Sequence, residues 1–177
     1  MCVIEISPVI ETRRLTLRAP ERRDVDRIAE LGNDYDIARM TLRMPHPYGL
    51  PQAEAWLWNA ASQDRTLHNS FVIEHEDDGV VGVLGLFHDE DPYPELGYWI
   101  GKPWWGRGFA TEAVEGVLLW ASKTWRKRAV TAGHFTDNPA SGAVLSKAGF
   151  LYTGEVRKNH SLSRGEAAEV RRMVWLA

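Results

Sequence analysis

Cysteine is almost missing from this chain. One residue in 177, Cys2, is a cysteine, which excludes an internal disulfide and a cysteine-based zinc site. Long apolar runs are missing too. None approaches the roughly 18 residues that a membrane span requires, and the N-terminal residues lack a signal-peptide pattern. A soluble, cytoplasmic protein is expected, with no membrane partner. Charge of one sign is not in excess either. The formal net charge is −3, so nucleic acid is not an expected partner. The short basic runs Arg126-Lys127-Arg128 and Arg171-Arg172 read as solvated surface. Repeats, low-complexity tracts and linkers are absent, and the length suits one domain over residues 1–177.

Tryptophan, in contrast, is abundant. Eight are present, which predicts large aromatic packing units or an aromatic pocket. Two of them open the most informative stretch, Trp104-Trp105-Gly106-Arg107-Gly108-Phe109-Ala110-Thr111-Glu112. Before it, Glu95 to Gly101 reads as a short strand. After it, Ala110, Val114, Val117, Leu118 and Ala121 keep one helical face apolar. A glycine loop therefore joins a strand to a helix. The first helical turn has unpartnered N–H groups and partial positive charge. The loop is thus suited to a diphosphate or similar anion, and Arg107 adds a full charge.

Two familiar glycine loops do not fit. No Lys follows the glycines, as a P-loop requires, and Thr111 stands where a dinucleotide fingerprint has its third glycine. The run Trp105-Gly106-Arg107-Gly108-Phe109-Ala110 resembles the Arg/Gln-x-x-Gly-x-Gly/Ala pyrophosphate loop of the GNAT superfamily of N-acetyltransferases, with Trp at the first position. Downstream, Asn138-Pro139-Ala140-Ser141 and Lys147-Ala148-Gly149-Phe150 are similar to the Asn-x-x-Ser…Lys-x-Gly-Phe segment of the same superfamily. The pair of motifs resembles the RimJ/RimL-like branch, which acetylates ribosomal-protein α-amino groups and has relatives with other amine substrates. The resemblance runs from Glu11 to Leu176.

The remaining elements follow from pattern. Ile10 to Arg18 reads as a strand, and Pro20 opens a helix that Gly32-Asn33 stops. Asp34 to Gly49 is irregular and reads as either part of an acceptor pocket or a packed connector with a short helix. Pro51 to Ala61 reads as a helix, and Ser70 to Glu76 and Val80 to His88 as a hairpin turning at Asp78-Gly79. Asp89-Glu90-Asp91-Pro92 reads as a turn. Ala129 to Phe135 is a strand, Asn138 to Lys147 a helix, and Phe150 to Val156 and Val170 to Leu176 a closing pair of strands. The order βααβββαβαββ implies an α/β (α+β) sheet of mixed direction. By resemblance it is the GNAT fold, mostly antiparallel. There the strand before the glycine loop and the next strand diverge, and the thioester arm of acetyl-CoA lies between them.

The resemblance implies acetyl-CoA as co-substrate and no metal. It implies donor binding by Ile100, Trp105, Gly106, Arg107, Gly108, Phe109, Ala110, Thr111, Asn138 and Ser141. It implies Glu95 as the base that takes the amine proton, directly or through water; the alternative is a strand-end carboxylate that only attracts a cation. His88, with Asp89, Glu90 and Asp91, forms a rival set, and His134 is a further candidate. Asn138 is either the N-cap before Pro139 or, by resemblance, a ligand of the pantetheine arm. Leu145 stands where many GNAT enzymes place a tyrosine acid, which leaves Ser141 to protonate the thiolate. Tyr98 and Trp99 should face opposite sides of their strand, one toward the pocket. The expected acceptor is a primary amine, on a peptide N-terminus or a small molecule, and the expected state a monomer or homodimer. A non-catalytic acyl-CoA sensor is the alternative function.

Overall fold

The computed structural model describes residues 7–88 and 91–177. Cys2 and the acidic pair Asp89-Glu90 of the expected turn lie outside them. Eight strands form one sheet in the order β1-β2-β3-β4-β5-β6-β8-β7. β1 (Ile10–Glu11) and β2 (Leu15–Arg18) lead into α1 (Val25–Gly32), α2 (Tyr35–Ala38) and α3 (Leu50–Ser62). The hairpin β3 (His68–His75) and β4 (Gly79–Phe87) and the strand β5 (Glu95–Ile100) follow. Then come α4 (Phe109–Lys123), β6 (Ala129–Phe135), α5 (Pro139–Lys147), β7 (Leu151–Ser161) and β8 (Glu166–Leu176). All neighbours pair antiparallel except β5 and β6, which are parallel.

Two expectations are corrected. Ile10 to Arg18 is not one strand. Thr12 closes a turn, its Oγ1 donating to Leu15 O and accepting from Leu15 N–H, both at 3.0 Å. Two short strands therefore replace one, and eight strands replace seven. The irregular stretch holds the short helix of the connector reading, the four-residue α2, capped by Asp34, whose side chain accepts from Asp36 N–H. The closing strands run further inward than expected, to Ser161 rather than Val156 and from Glu166 rather than Val170. Most of β7 is solvent-exposed, so no apolar alternation announces that extension.

Helices cover both faces of the sheet. On one face, Phe109, Val114, Val117 and Leu118 of α4 pack with Leu17, Phe71, Ile73, Leu84 and Leu96. On the other, Val25, Ile28 and Ala29 of α1 and Ala53 of α3 pack with Val72, Val80 and Val83. A strand covered on both sides reads as a continuous apolar run, as β4 does. Each such aliphatic side chain contributes about 1.5–3 kcal/mol when withdrawn from water. No helix among the described residues is long and apolar enough to cross a membrane.

Candidate active site

The glycine loop has the conformation its sequence requires. Gly106 and Gly108 sit at φ 74° and 77°, a left-handed region costly for other residues. Gly108 is the N-cap of α4 and supplies no side-chain cap. From Gly106 through Thr111, no backbone N–H has an acceptor among the described residues. Six successive amides, opening a helix of 15 residues, form a cradle for an anion. A Cβ on Gly106 would meet nothing within 4 Å, so the cradle is open. Those features fit the diphosphate of acetyl-CoA. Arg14 buttresses the loop: its Nη1 donates to Arg107 O at 3.1 Å and its Nε to Glu112 Oε2 at 2.7 Å. Phe109 is buried, with Arg14 and Arg107 over its ring at 4.8 and 5.3 Å. Of the paired tryptophans, Trp104 joins the core, while Trp105 is exposed and its indole N–H donates to Ile100 O at 2.7 Å.

The divergence of β5 and β6 is also present. They pair only through Glu95 with Thr131 and Leu96 with Ala132. Gly101 N–H donates to Val81 O, whereas Thr131 N–H donates to Pro94 O. Odd residues of β5 thus bond to β4 and even ones turn toward β6. Beyond Leu96 the even ones, Tyr98 and Ile100, face a gap. That gap fits an extended pantetheine arm.

A cavity of about 750 Å³ lies at this gap, with residues of α3 in its lining. Residues 40–45 and Tyr48 line it, so the irregular segment after α1 does form part of its wall. A row of small residues crosses its floor: Ser70 is opposite Gly85, and Gly85 is opposite Gly97. Gly133 continues the row on β6. A Cβ there would come 3.2 Å from Arg172 Nη1, so Gly133 clears the path by which Arg172 reaches Glu95.

Glu95 lines the cavity, its carboxylate bonded to the guanidinium of Arg172, which is itself buried. Arg172 also reaches Asp91 at 3.4 Å. Ser141, in the first turn of α5, lines the cavity as well. Its Oγ lies 2.9 Å from the Tyr98 hydroxyl. Burial pushes the Tyr98 phenol up to about 12, against a smaller opposite effect of the Ser141 bond, so it holds its proton at neutral pH. Asn138 is the N-cap of α5, its Oδ1 accepting from Ser141 N–H at 3.2 Å. Leu145 is buried and lines the cavity beside these groups.

The histidines are placed differently. His88 is not among the lining residues. It accepts from Lys127 Nζ at 3.2 Å and lies against Trp125. Burial and the Lys127 charge hold it below its ordinary range. His134 lines the cavity with both nitrogens engaged. Nδ1 is 2.8 Å from Phe135 O, so it carries the proton in the neutral ring, and Nε2 accepts from Tyr152 OH at 2.9 Å.

Both Tyr98 and Trp99 line the cavity, although their strand positions alternate. Tyr98 is one of the two residues expected at the pocket, but its bond to Ser141 had no sequence signal, nor did Arg14 or Arg172, which is buried where the run Arg171-Arg172 reads as solvated. Each depends on a contact between residues more than 40 positions apart.

Residues 14–151 match the family model of the Acetyltransferase (GNAT) domain. The chain is 26% identical over 163 residues to an uncharacterized N-acetyltransferase, p20, of Bacillus licheniformis, covering 90% of each. Its fold resembles that of Mycobacterium smegmatis RimJ in complex with CoA-disulfide. There the TM-score is 0.84 and identity 19%, over 96% of this chain and 88% of that one. It also resembles spermidine N-acetyltransferase from Vibrio cholerae in complex with CoA and spermine. That match has a TM-score of 0.76 and 24% identity, over 92% of this chain and 95% of that one. With a glycine cradle, a split parallel strand pair and the matching family model, the chain belongs to the GNAT acetyltransferases, which draw their acetyl group from acetyl-CoA.

Proposed function

We propose that the chain, acting as one domain, transfers an acetyl group to a primary amine on a peptide N-terminus or a small molecule. We assign it to the RimJ/RimL-like branch. The observation that carries this reading is that Glu95 and the Ser141–Tyr98 pair line one cavity, at the gap between β5 and β6. The RimJ fold likeness supports the branch. The likeness to a spermidine enzyme keeps small amines in view.

Acetyl-CoA supplies an acyl group already activated as a thioester. The amides from Gly106 to Thr111 and Arg107 hold its diphosphate, and Ile100, Asn138 and Ser141 border the arm. Glu95 takes the amine proton, directly or through a water. An α-amine, with a pKa near about 8 against about 10.4 for lysine, asks little of that base. The nitrogen bonds to the acyl carbon as the carbon–sulfur bond breaks, and Ser141, backed by Tyr98, gives the sulfur its proton. The transfer is direct, in a ternary complex, with no acyl-enzyme.

A thiol-release screen with acetyl-CoA against peptides and small amines tests this reading. Acetyl-CoA-dependent release with at least one amine is expected. Binding of acetyl-CoA with no release for any amine would mark the chain as an acyl-CoA sensor instead.

A further inference from the structure

The cavity wall carries information about the acceptor. Glu95 is the one carboxylate among its described lining residues, and Arg172 already neutralises it. A polyamine brings several ammonium groups, each needing a carboxylate once it leaves water. Among its described residues this wall provides one, already paired with Arg172.

Two tryptophans face the cavity, Trp56 of α3 and Trp99 of β5. Trp104, Trp105, Trp120 and Trp125 each lie against another ring or a cation. Trp56 and Trp99 carry no such ring or cation among the described residues; both are partly buried, packed against the core on one side and lining the cavity on the other. The indole surface that remains along the cavity favours a flat aromatic guest.

A third feature also points inward. Gln63 and Ser70 both line the cavity, and Ser70 Oγ donates to Gln63 Oε1 at 3.1 Å. Gln63 Nε2 is buried with no partner. Turning the amide over only changes which end is left. A buried amide end without a partner is unfavourable, and a guest carrying a polar atom would relieve it.

We propose that the acceptor is a monoamine on a flat, uncharged aromatic body that bears a polar ring substituent. The inference rests on the acetyl-transfer reading and narrows its acceptor. The test is thiol release by the full chain with acetyl-CoA and three probes: tryptamine, spermidine and a Ser-Ala-Ala tripeptide. Tryptamine should exceed the other two in kcat/KM by at least about tenfold. Trp56→Leu should raise the tryptamine KM about tenfold, the size of one lost aromatic contact, with the Kd of acetyl-CoA unchanged. The best of a set of ring-hydroxylated and ring-methoxylated tryptamines should surpass tryptamine, and Gln63→Leu should abolish that advantage. A preference for spermidine or the tripeptide overturns the proposal while leaving acetyl transfer standing, as does a tryptamine KM indifferent to Trp56→Leu. An advantage that survives Gln63→Leu also overturns the assigned substituent contact. Thiol release with no amine at all instead sinks the transfer reading beneath it.

Discussion

The Tyr98 hydroxyl of β5 and the Ser141 hydroxyl of α5 lie 2.9 Å apart, joining the strand before the gap to the helix beyond it. The tyrosine expected at position 145 is a leucine, and a phenol from another element occupies the neighbourhood instead. If the pair acts as one proton donor, Tyr98→Phe and Ser141→Ala should each lower kcat about tenfold or more. The double variant should be no slower than the slower single one. Independent, multiplying losses in a single-turnover assay would separate the two groups.

Glu95→Gln should lower turnover about a hundredfold at neutral pH, the usual scale of a lost general base. Affinity for acetyl-CoA should not change, because Glu95 opens β5 and the glycine loop follows its opposite end. Turnover equal to wild type would leave Glu95 as no more than the partner of Arg172.

Gly106→Val places a β-branched residue at φ 74°. The strain is about 1–2 kcal/mol, and the new side chain projects into the open space above the amides. Calorimetry should show the Kd of acetyl-CoA rising more than about tenfold.

Arg18 bonds Asp24 through Nη1 at 2.8 Å and Nη2 at 2.9 Å, and bonds Glu74 through Nε at 2.8 Å. Burial opposes ionisation of Asp24, but the Arg18 bonds and the Glu21 amide outweigh it and hold the carboxyl below its ordinary range. A depressed folded-state pKa stabilises above the unfolded value of about 4 and loses that effect as pH falls through the folded value. Asp24→Asn should cost about 1.5–3 kcal/mol at neutral pH, since it removes one of the two carboxylates that Arg18 bonds and leaves Glu74 as its partner. The gap in Tm between variant and wild type should narrow as pH falls below about 4.

Much of this was legible in the sequence, where a local pattern carried it. Two glycines around Arg107 announced the loop, and Asp78-Gly79 announced the hairpin. Gly149 at φ 94° follows the helix it was expected to end. What escaped depended on distant partners. Nothing near Ile10 shows that Thr12 and Arg14 both bond Glu112, about 100 residues away, and so break the first strand. Nothing near Tyr98 points to Ser141. The exposed outer reach of β7 carries no apolar period, so its length is set by pairing with β8.

The floor of small residues gives substrate size a single point of adjustment. At Gly85 a methyl group would collide with the Phe87 ring at 2.2 Å, and at Gly133 with Val170 at 2.6 Å. At Gly97 it would meet only an ordinary contact with Phe87, at 3.9 Å. Alanine at position 97 would therefore make the chamber shallower without disturbing the scaffold, so relatives with the same architecture could diverge toward smaller acceptors by that one replacement.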